Sequence, residues 1–254
     1  MKGYDPIKLS EAIKRIVVKG IMRKYYRVCR GGRWYGGIAT ADCVGCNLRC
    51  VFCWSANVRD KPDKIGKFYT PEFIYRKLSQ LAHRRGYRQL RISGNEPTIG
   101  REHLLRILDL VESDGRYLFI LETNGILIGY DKSYARDLSK YSCVHVRVSL
   151  KGCTPEEFSL LTGAIPEAFY YQLNALKNLL DYGVSCHPAV MLSFSSKKSK
   201  EWLLSKLLEI DRVLVEEFEE EYVFEYPHVM ERLRKAGLKP KISFHPNRIP
   251  EEYI

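Results

Sequence analysis

The sequence predicts an α/β fold on a parallel sheet, either a partial barrel or an open doubly wound sheet. Three observations carry this. From residue 37 onward, short apolar runs of strand length alternate with amphipathic stretches of helix length. The alternation is one for one, the pattern of βα units around a parallel sheet. Five or six such units over about 200 residues also fall short of the eight that close a full barrel.

Residues 7–19 open the chain with helical spacing of Ile7, Leu9, Ile13, Ile16 and Val17. The basic, aromatic and Gly-interrupted stretch 25–35 reads as a strand or hairpin leading inward. Strands follow over 37–42, 89–93, 118–122, 144–149 and 188–192, with a sixth near 213–215. Helices lie between them over 71–85, 101–113, 132–140, 166–182 and 198–210. The first of these has Thr70 as N-cap and Pro71 at the position where proline fits a helix start. A last helix over 226–236 stops at Gly237, and 238–254 is a Pro-punctuated tail. The chain thus divides into a basic N-terminal extension (1–35), a core (36–215) and a C-terminal helix and tail (216–254). In either architecture the chemistry sits beyond the C-terminal ends of the strands.

Composition narrows the function classes. With 254 residues, 45% apolar and 28% charged, the chain has an ordinary globular make-up and can bury a core without staples. No apolar stretch approaches the roughly 18–20 residues that span a bilayer, and the N-terminus lacks an apolar signal region, so a cytoplasmic protein with no membrane partner is expected. The net charge of +11 is uneven: +8 over 1–40, +7 over 59–91 and −7 over 209–225. A basic front half with Tyr25, Tyr26, Trp34 and Tyr35 among the arginines can track a phosphate backbone, or it is simply a solvated surface. The acidic run 216–221 reads as a solvated helix or loop face.

Four of the eight cysteines (Cys43, Cys46, Cys50, Cys53) fall within eleven residues, which reads as metal binding and not as a disulfide framework. Cys46-Asn47-Leu48-Arg49-Cys50-Val51-Phe52-Cys53 directly follows the first strand. Three thiolates so close together can face one iron–sulfur cube and leave one iron open. With Cys43 counted, four thiolates can instead hold a structural zinc, although a three-residue gap leaves little chain for a tetrahedron. At the second strand end, Ser93-Gly94-Asn95-Glu96-Pro97-Thr98 combines a residue that tolerates close approach, a fixed turn and a carboxylate able to accept from an ammonium. It is otherwise a strand-to-helix turn. Glu122-Thr123-Asn124-Gly125 ends the third strand, as a ligand site or a plain Asn-Gly turn. Ser149-Leu150-Lys151 ends the fourth, with a hydroxyl and an ammonium suited to a ribose and a carboxylate. Residues 188–191 on the fifth strand offer an apolar adenine wall or plain core. His187, His228 and His245 read as packing or surface residues.

The Cys-x3-Cys-x-aromatic-Cys loop, with Phe52 as the aromatic, resembles that of radical S-adenosylmethionine (SAM) enzymes, over about residues 36–215. The resemblance implies a partial (β/α)6 barrel and a [4Fe-4S] cluster on Cys46, Cys50 and Cys53. It further implies SAM on the fourth iron, leaving Cys43 structural. Gly94, Asn95, Glu96 and Pro97 are similar to the family's Gly-Gly-Glu-Pro motif, which binds the methionine amino group, with Asn95 a departure from glycine. Thr123, Asn124, Ser149, Lys151 and Phe52 fall where related enzymes contact SAM, and no catalytic residue beyond the cluster is identified. The implied chemistry is reductive SAM cleavage, with an external one-electron donor of flavodoxin or ferredoxin type and hydrogen abstraction by a 5′-deoxyadenosyl radical. The single cluster and the Lys151 position resemble glycyl-radical activating enzymes, whose substrate is a protein. An RNA-modifying enzyme with Arg23, Lys24, Arg27, Arg30 and Arg33 on phosphates is the enzymatic alternative. A zinc-stabilised nucleic-acid-binding module is the non-enzymatic one.

Overall fold

The computed structural model describes residues 3–250, so the last four residues of the expected tail lie outside it. Helix α1 (Pro6–Val17) starts where the Asp5 carboxylate accepts from the Ile7 and Lys8 amides, and it buries Ile13 and Val17. Strand β1 (Met22–Gly32) follows, three residues earlier than the expected 25–35 segment. It pairs antiparallel with β2 (Ile38–Cys43), with two register shifts. From β2 onward every neighbour is parallel: β3 (Gln89–Ser93), β4 (Leu118–Thr123), β5 (Val144–Leu150), β6 (Cys186–Met191) and β7 (Glu219–Glu221). The strand order β1 to β7 is sequential, and the short strands Val18–Lys19 and Lys67–Tyr69 also pair antiparallel with β1. This side of the sheet does not meet β7 among the described residues, so the sheet is an open partial barrel.

Five of the six parallel strands fall within two residues of their expected bounds at each end. The sixth does not. Residues 213–215 form a helical turn (Val213–Glu216), and the strand is the acidic triplet Glu219–Glu221, three residues of poor β-propensity. The expected solvated acidic face is therefore partly a barrel wall. What holds it is charge: Arg147 on β5 donates to Glu219 at 2.5 and 2.8 Å and to Glu221 at 3.0 Å.

Strand alternation sorts the two faces. Ala39, Ala41, Leu90, Ile92, Phe119, Leu121, Val146 and Val148 are buried in one apolar layer. Helices α2 (Pro71–Arg85), α3 (Arg101–Asp114), α4 (Phe169–Asp181) and α5 (Lys197–Ile210) supply the other half of that layer. The expected 132–140 helix shortens to Ser133–Leu138, and an unexpected helix, Pro155–Thr162, is capped by Thr154. The last helix, α6 (Pro227–Lys235), packs Val229 and Leu233 on Met191. Among the described residues no helix is long and apolar enough to cross a membrane.

The intervening strand residues line the concave face with charge. Arg91 pairs with Glu122 at 2.7 Å and also donates to Thr40. Arg27 and Arg30 both pair with the fully buried Asp42. Arg23 is 1% exposed and Lys24 8%, so four of the five basic residues expected to form a phosphate-contacting surface are buried or paired internally.

His103 on α3 ties β1 to the helix layer. Its Nδ1–H donates to the Ile21 carbonyl and its Nε2 accepts from the Tyr25 hydroxyl, both at 2.8 Å, which fixes the neutral ring. Burial, with a smaller push from Arg23, lowers its pKa to about 4. The unfolded chain takes up this proton near pH 6.5 and the folded one near 4. Stability is therefore fully present above about pH 6.5 and is lost as pH falls from there towards 4, by on the order of 3 kcal/mol. Urea unfolding at pH 7 and pH 5 will show the loss, and His103→Gln will shrink it.

Candidate active site at the strand ends

Four loops meet at the C-terminal ends of β2 to β5. The cysteine loop enters through Gly45 (φ +89°), where a Cβ would lie 2.7 Å from Ile13 Cγ2. Its amide donates to Asn95 Oδ1 at 2.8 Å, and its carbonyl accepts from the Glu96 amide at 3.0 Å. This pair of bonds locks the cysteine loop to the 93–98 turn. Asn95 Nδ2 donates to Ser55 Oγ at 2.8 Å, and Ser55 in turn donates to the Gly94 carbonyl at 2.7 Å. Asn95 has no positive φ, so the backbone does not need a glycine there, and the amide side chain gains three hydrogen bonds. Gly94 does need to be glycine: φ is +99° and a Cβ would sit 2.8 Å from Asp42 Cβ.

Glu96, 1% exposed, joins the second and third strand ends. Its Oε1 accepts from the Thr98 and Thr123 hydroxyls at 2.6 and 2.7 Å, and its Oε2 accepts from the Asn124 amide at 2.8 Å. The carboxylate expected to receive an ammonium also shapes the turn. Asn124 carries the link onward, since its Nδ2 donates to Asn47 Oδ1 at 2.7 Å and approaches Cys46 Sγ at 3.7 Å. The Leu48 amide also donates to Cys46 Sγ, at 3.3 Å.

The three thiols are electrostatic neighbours. Burial, then the charges of Glu96, Cys50 and Cys53, push the Cys46 thiol far up. Burial also pushes Cys50 up to about 11, with Cys53 adding to the rise and Lys151 and Arg59 opposing it. Cys43 lies apart in the apolar layer, fully buried. Among the described residues no three His, Cys, Asp or Glu side chains enclose a single metal ion. A cube that takes each sulfur on a different iron requires wider spacing than one ion's shell. Asn47 supplies a second sign of fit: it is fully buried, and its Nδ2 finds no partner among the described residues. A buried orphan donor beside Cys46 suits a sulfur-rich group.

Ser149 and Lys151 reach the same rim, but both face β7. Ser149 Oγ donates to Glu221 Oε2 at 2.7 Å, and Lys151 Nζ donates to Ser149 Oγ and lies 3.6 Å from Glu221. Burial works against ionisation of Glu221, yet Lys151 and Arg147 hold its carboxyl below the usual range. Phe52 packs with Phe194 at 6.0 Å in the apolar cluster that seats α6, together with Met191 from the expected adenine wall. His187, expected to be a packing residue, bonds His145 at 2.7 Å and Glu219 at 2.9 Å. His228 bonds the Trp54 carbonyl at 2.8 Å, and His245 is exposed. Ser55, Arg147, Glu219 and Glu221 join the site without a local motif, and Asn47 joins it from inside the cysteine motif; of these only Asn47 and Ser55, within and just after the cysteines, carry any sequence signal.

The radical SAM superfamily matches residues 42–199. A probable GTP 3′,8-cyclase of Thermococcus kodakarensis is 30% identical over 214 residues, covering 77% of this chain and 64% of that protein. One from Methanococcus vannielii is 31% identical over 140 residues, covering 52% and 44%. This chain thus spans less than two thirds of the length of these curated relatives. Among solved structures, Streptococcus suis SuiB bound to the precursor peptide SuiA superposes with a TM-score of 0.58 at 21% identity, over 80% of this chain and 47% of that one. Native anSMEcpe with bound AdoMet gives 0.55 at 19%, over 71% and 49%. At these identities the structures speak for the fold alone, a radical SAM partial barrel. With three thiols gathered on the loop after the first parallel strand and the family matched across most of the barrel, the chain belongs to the radical SAM superfamily, whose enzymes work with a [4Fe-4S] cluster and S-adenosylmethionine.

Proposed function

We propose that Cys46, Cys50 and Cys53 ligate the [4Fe-4S] cluster, that Gly94–Pro97, Thr123, Asn124 and Lys151 frame the SAM site, and that the substrate is a small, charged, nucleotide-like molecule. The observation that supports the first two parts is the chain of bonds from Asn95 through Gly45, and from Glu96 through Asn124 to Asn47, which makes the cysteine loop and the strand-end turns one rigid rim. When bound, the cluster and SAM supply one-electron cleavage and hydrogen abstraction. The chain's own residues orient and exclude water. Glu96 holds two turns in register, Lys151 places its ammonium at the rim against Ser149 and Glu221, and the apolar cluster of Phe52, Phe194 and Met191 dries one side of the loop.

The substrate class rests on the concave face and on the relatives. Arg91, Arg147 and Glu122 line that face, and burial of Glu122 is overcome by both arginines, which hold its carboxyl below the usual range. Such fixed charge suits a small polar ligand better than a protein backbone glycine. Relatives named GTP 3′,8-cyclase favour the same class. The activating-enzyme reading has no comparable support, and neither has the RNA reading, since Arg23 and Lys24 are buried and Arg27 and Arg30 pair with Asp42.

The test is anaerobic reconstitution followed by SAM, dithionite and GTP or another nucleoside triphosphate. A nucleotide that raises 5′-deoxyadenosine release about tenfold or more over background supports the reading. Stimulation by a glycine-bearing protein or by RNA, with none from nucleotides, overturns it.

A further inference from the structure

The outer side of the cysteine loop carries an arrangement that ligating a cluster does not require. The backbone carbonyl of each of the three cysteines accepts from a different arginine. Arg49 Nη1 donates to the Cys46 carbonyl at 2.7 Å, Arg59 Nη1 to the Cys50 carbonyl at 2.8 Å, and Arg232 Nη2 to the Cys53 carbonyl. These arginines come from the loop itself, from the short helix Ala56–Arg59 and from α6, far along the chain. One carboxylate, Asp60, stands among them, 2.7 Å from Arg59 and 3.8 Å from Arg49.

Pinning a carbonyl needs a donor, and a neutral amide or hydroxyl would serve. Three guanidinium charges against one carboxylate leave an excess of two positive charges within one residue of the thiols. The face is open at its rim: the Arg49 side chain is 28% exposed, that of Asp60 44%, and Trp54, next to Cys53, is 43% exposed, while the Arg59 side chain lies beneath it at 6%. Exposed Lys61 follows Asp60 directly, and exposed Lys235, paired with Glu231 at 2.7 Å, lies one turn beyond Arg232 on α6. A positively charged rim around a short path to a redox centre raises the encounter rate of an acidic partner.

We propose that this arginine collar, flanked by Lys61 and Lys235 and with Trp54 at its surface, is the docking face for an acidic protein that carries one electron. The inference rests on the assignment of the cluster to Cys46, Cys50 and Cys53. It adds which face admits the electron, and what chemistry the partner presents.

The experiment uses the reconstituted holoenzyme and two reductants, flavodoxin hydroquinone as the acidic probe and photoreduced deazaflavin as a small neutral one, with cluster bleaching as the readout. The flavodoxin rate should fall about tenfold between low salt and about 0.5 M NaCl, while the deazaflavin rate stays flat. A Lys61→Glu/Lys235→Glu double variant should slow flavodoxin about tenfold at low salt and leave the deazaflavin rate unchanged. Flavodoxin rates that ignore both salt and charge reversal overturn the proposal, as does a cluster that deazaflavin reduces and flavodoxin does not. If the variant loses both routes, the salt dependence of the wild-type enzyme decides alone. Failure of the wild-type chain to take up a cluster would remove the ligand assignment itself, a result distinct from these.

Discussion

Replacing Cys46, Cys50 or Cys53 by alanine will each abolish iron retention and reduce SAM cleavage to background, whereas Cys43→Ala will keep both. The four thiols lie within eleven residues, yet the fold separates them. Cys43 ends β2 and is fully buried among apolar side chains. Its thiol is pushed up to about 11 chiefly by that burial, so it remains a neutral core group at pH 7. Losing it should cost about 1–2 kcal/mol of stability and no iron. The other three share a loop, burial pushes the Cys46 and Cys50 thiols up, and all three become thiolates when metal replaces their protons. Iron and acid-labile sulfide assays on the four variants, beside 5′-deoxyadenosine release, check this. A Cys43 variant that loses metal with the others would revive a four-thiolate site.

Gly94→Ala should be damaging to both stability and the site. The new Cβ would meet Asp42 Cβ at 2.8 Å and the Cys43 amide at 3.0 Å, on a backbone with φ of +99°. Left-handed strain costs about 1–2 kcal/mol and overpacking about 1–3 more, so a loss of roughly 3 kcal/mol is expected. The displacement would also pass through Ser55 and Asn95 to the cysteine loop, weakening SAM binding beyond what stability alone explains. Gly86→Ala is the control. It too has positive φ, +68°, but nothing lies within 4 Å of its Cβ, so it should cost about 1 kcal/mol and leave SAM binding intact. Urea midpoints and SAM titrations of the two variants separate steric from purely conformational cost.

What was legible in advance was what local chemistry determines. Apolar runs bounded by turns located five strands, Thr70 and Pro71 announced α2, and the cysteine spacing marked the loop. The turns at 93–98 and 122–125 also stood out, because glycine and proline punctuate them. What stayed hidden depends on partners distant in sequence. Glu219–Glu221 becomes a strand because Arg147, Ser149 and His187 on the neighbouring strands, with Lys200, wait for its carboxylates, and a run of glutamates by itself argues for solvent. The basic front half suggested a phosphate surface because sequence shows charge and not burial. Arg23, held by the Val17 and Glu96 carbonyls, and Arg30, held by Asp42, spend that charge inside the fold. Arg232 sits 179 residues from the carbonyl it grips, and no spacing rule reaches that far.

The most direct test is the metal content and electron paramagnetic resonance of the anaerobically reconstituted chain, read before and after SAM is added. About four irons and four sulfides per chain, with a reduced-cluster signal that SAM reshapes, is the predicted result, since three cysteines leave one iron for the added ligand. Bound zinc in place of iron, or a cluster signal indifferent to SAM, would contradict it.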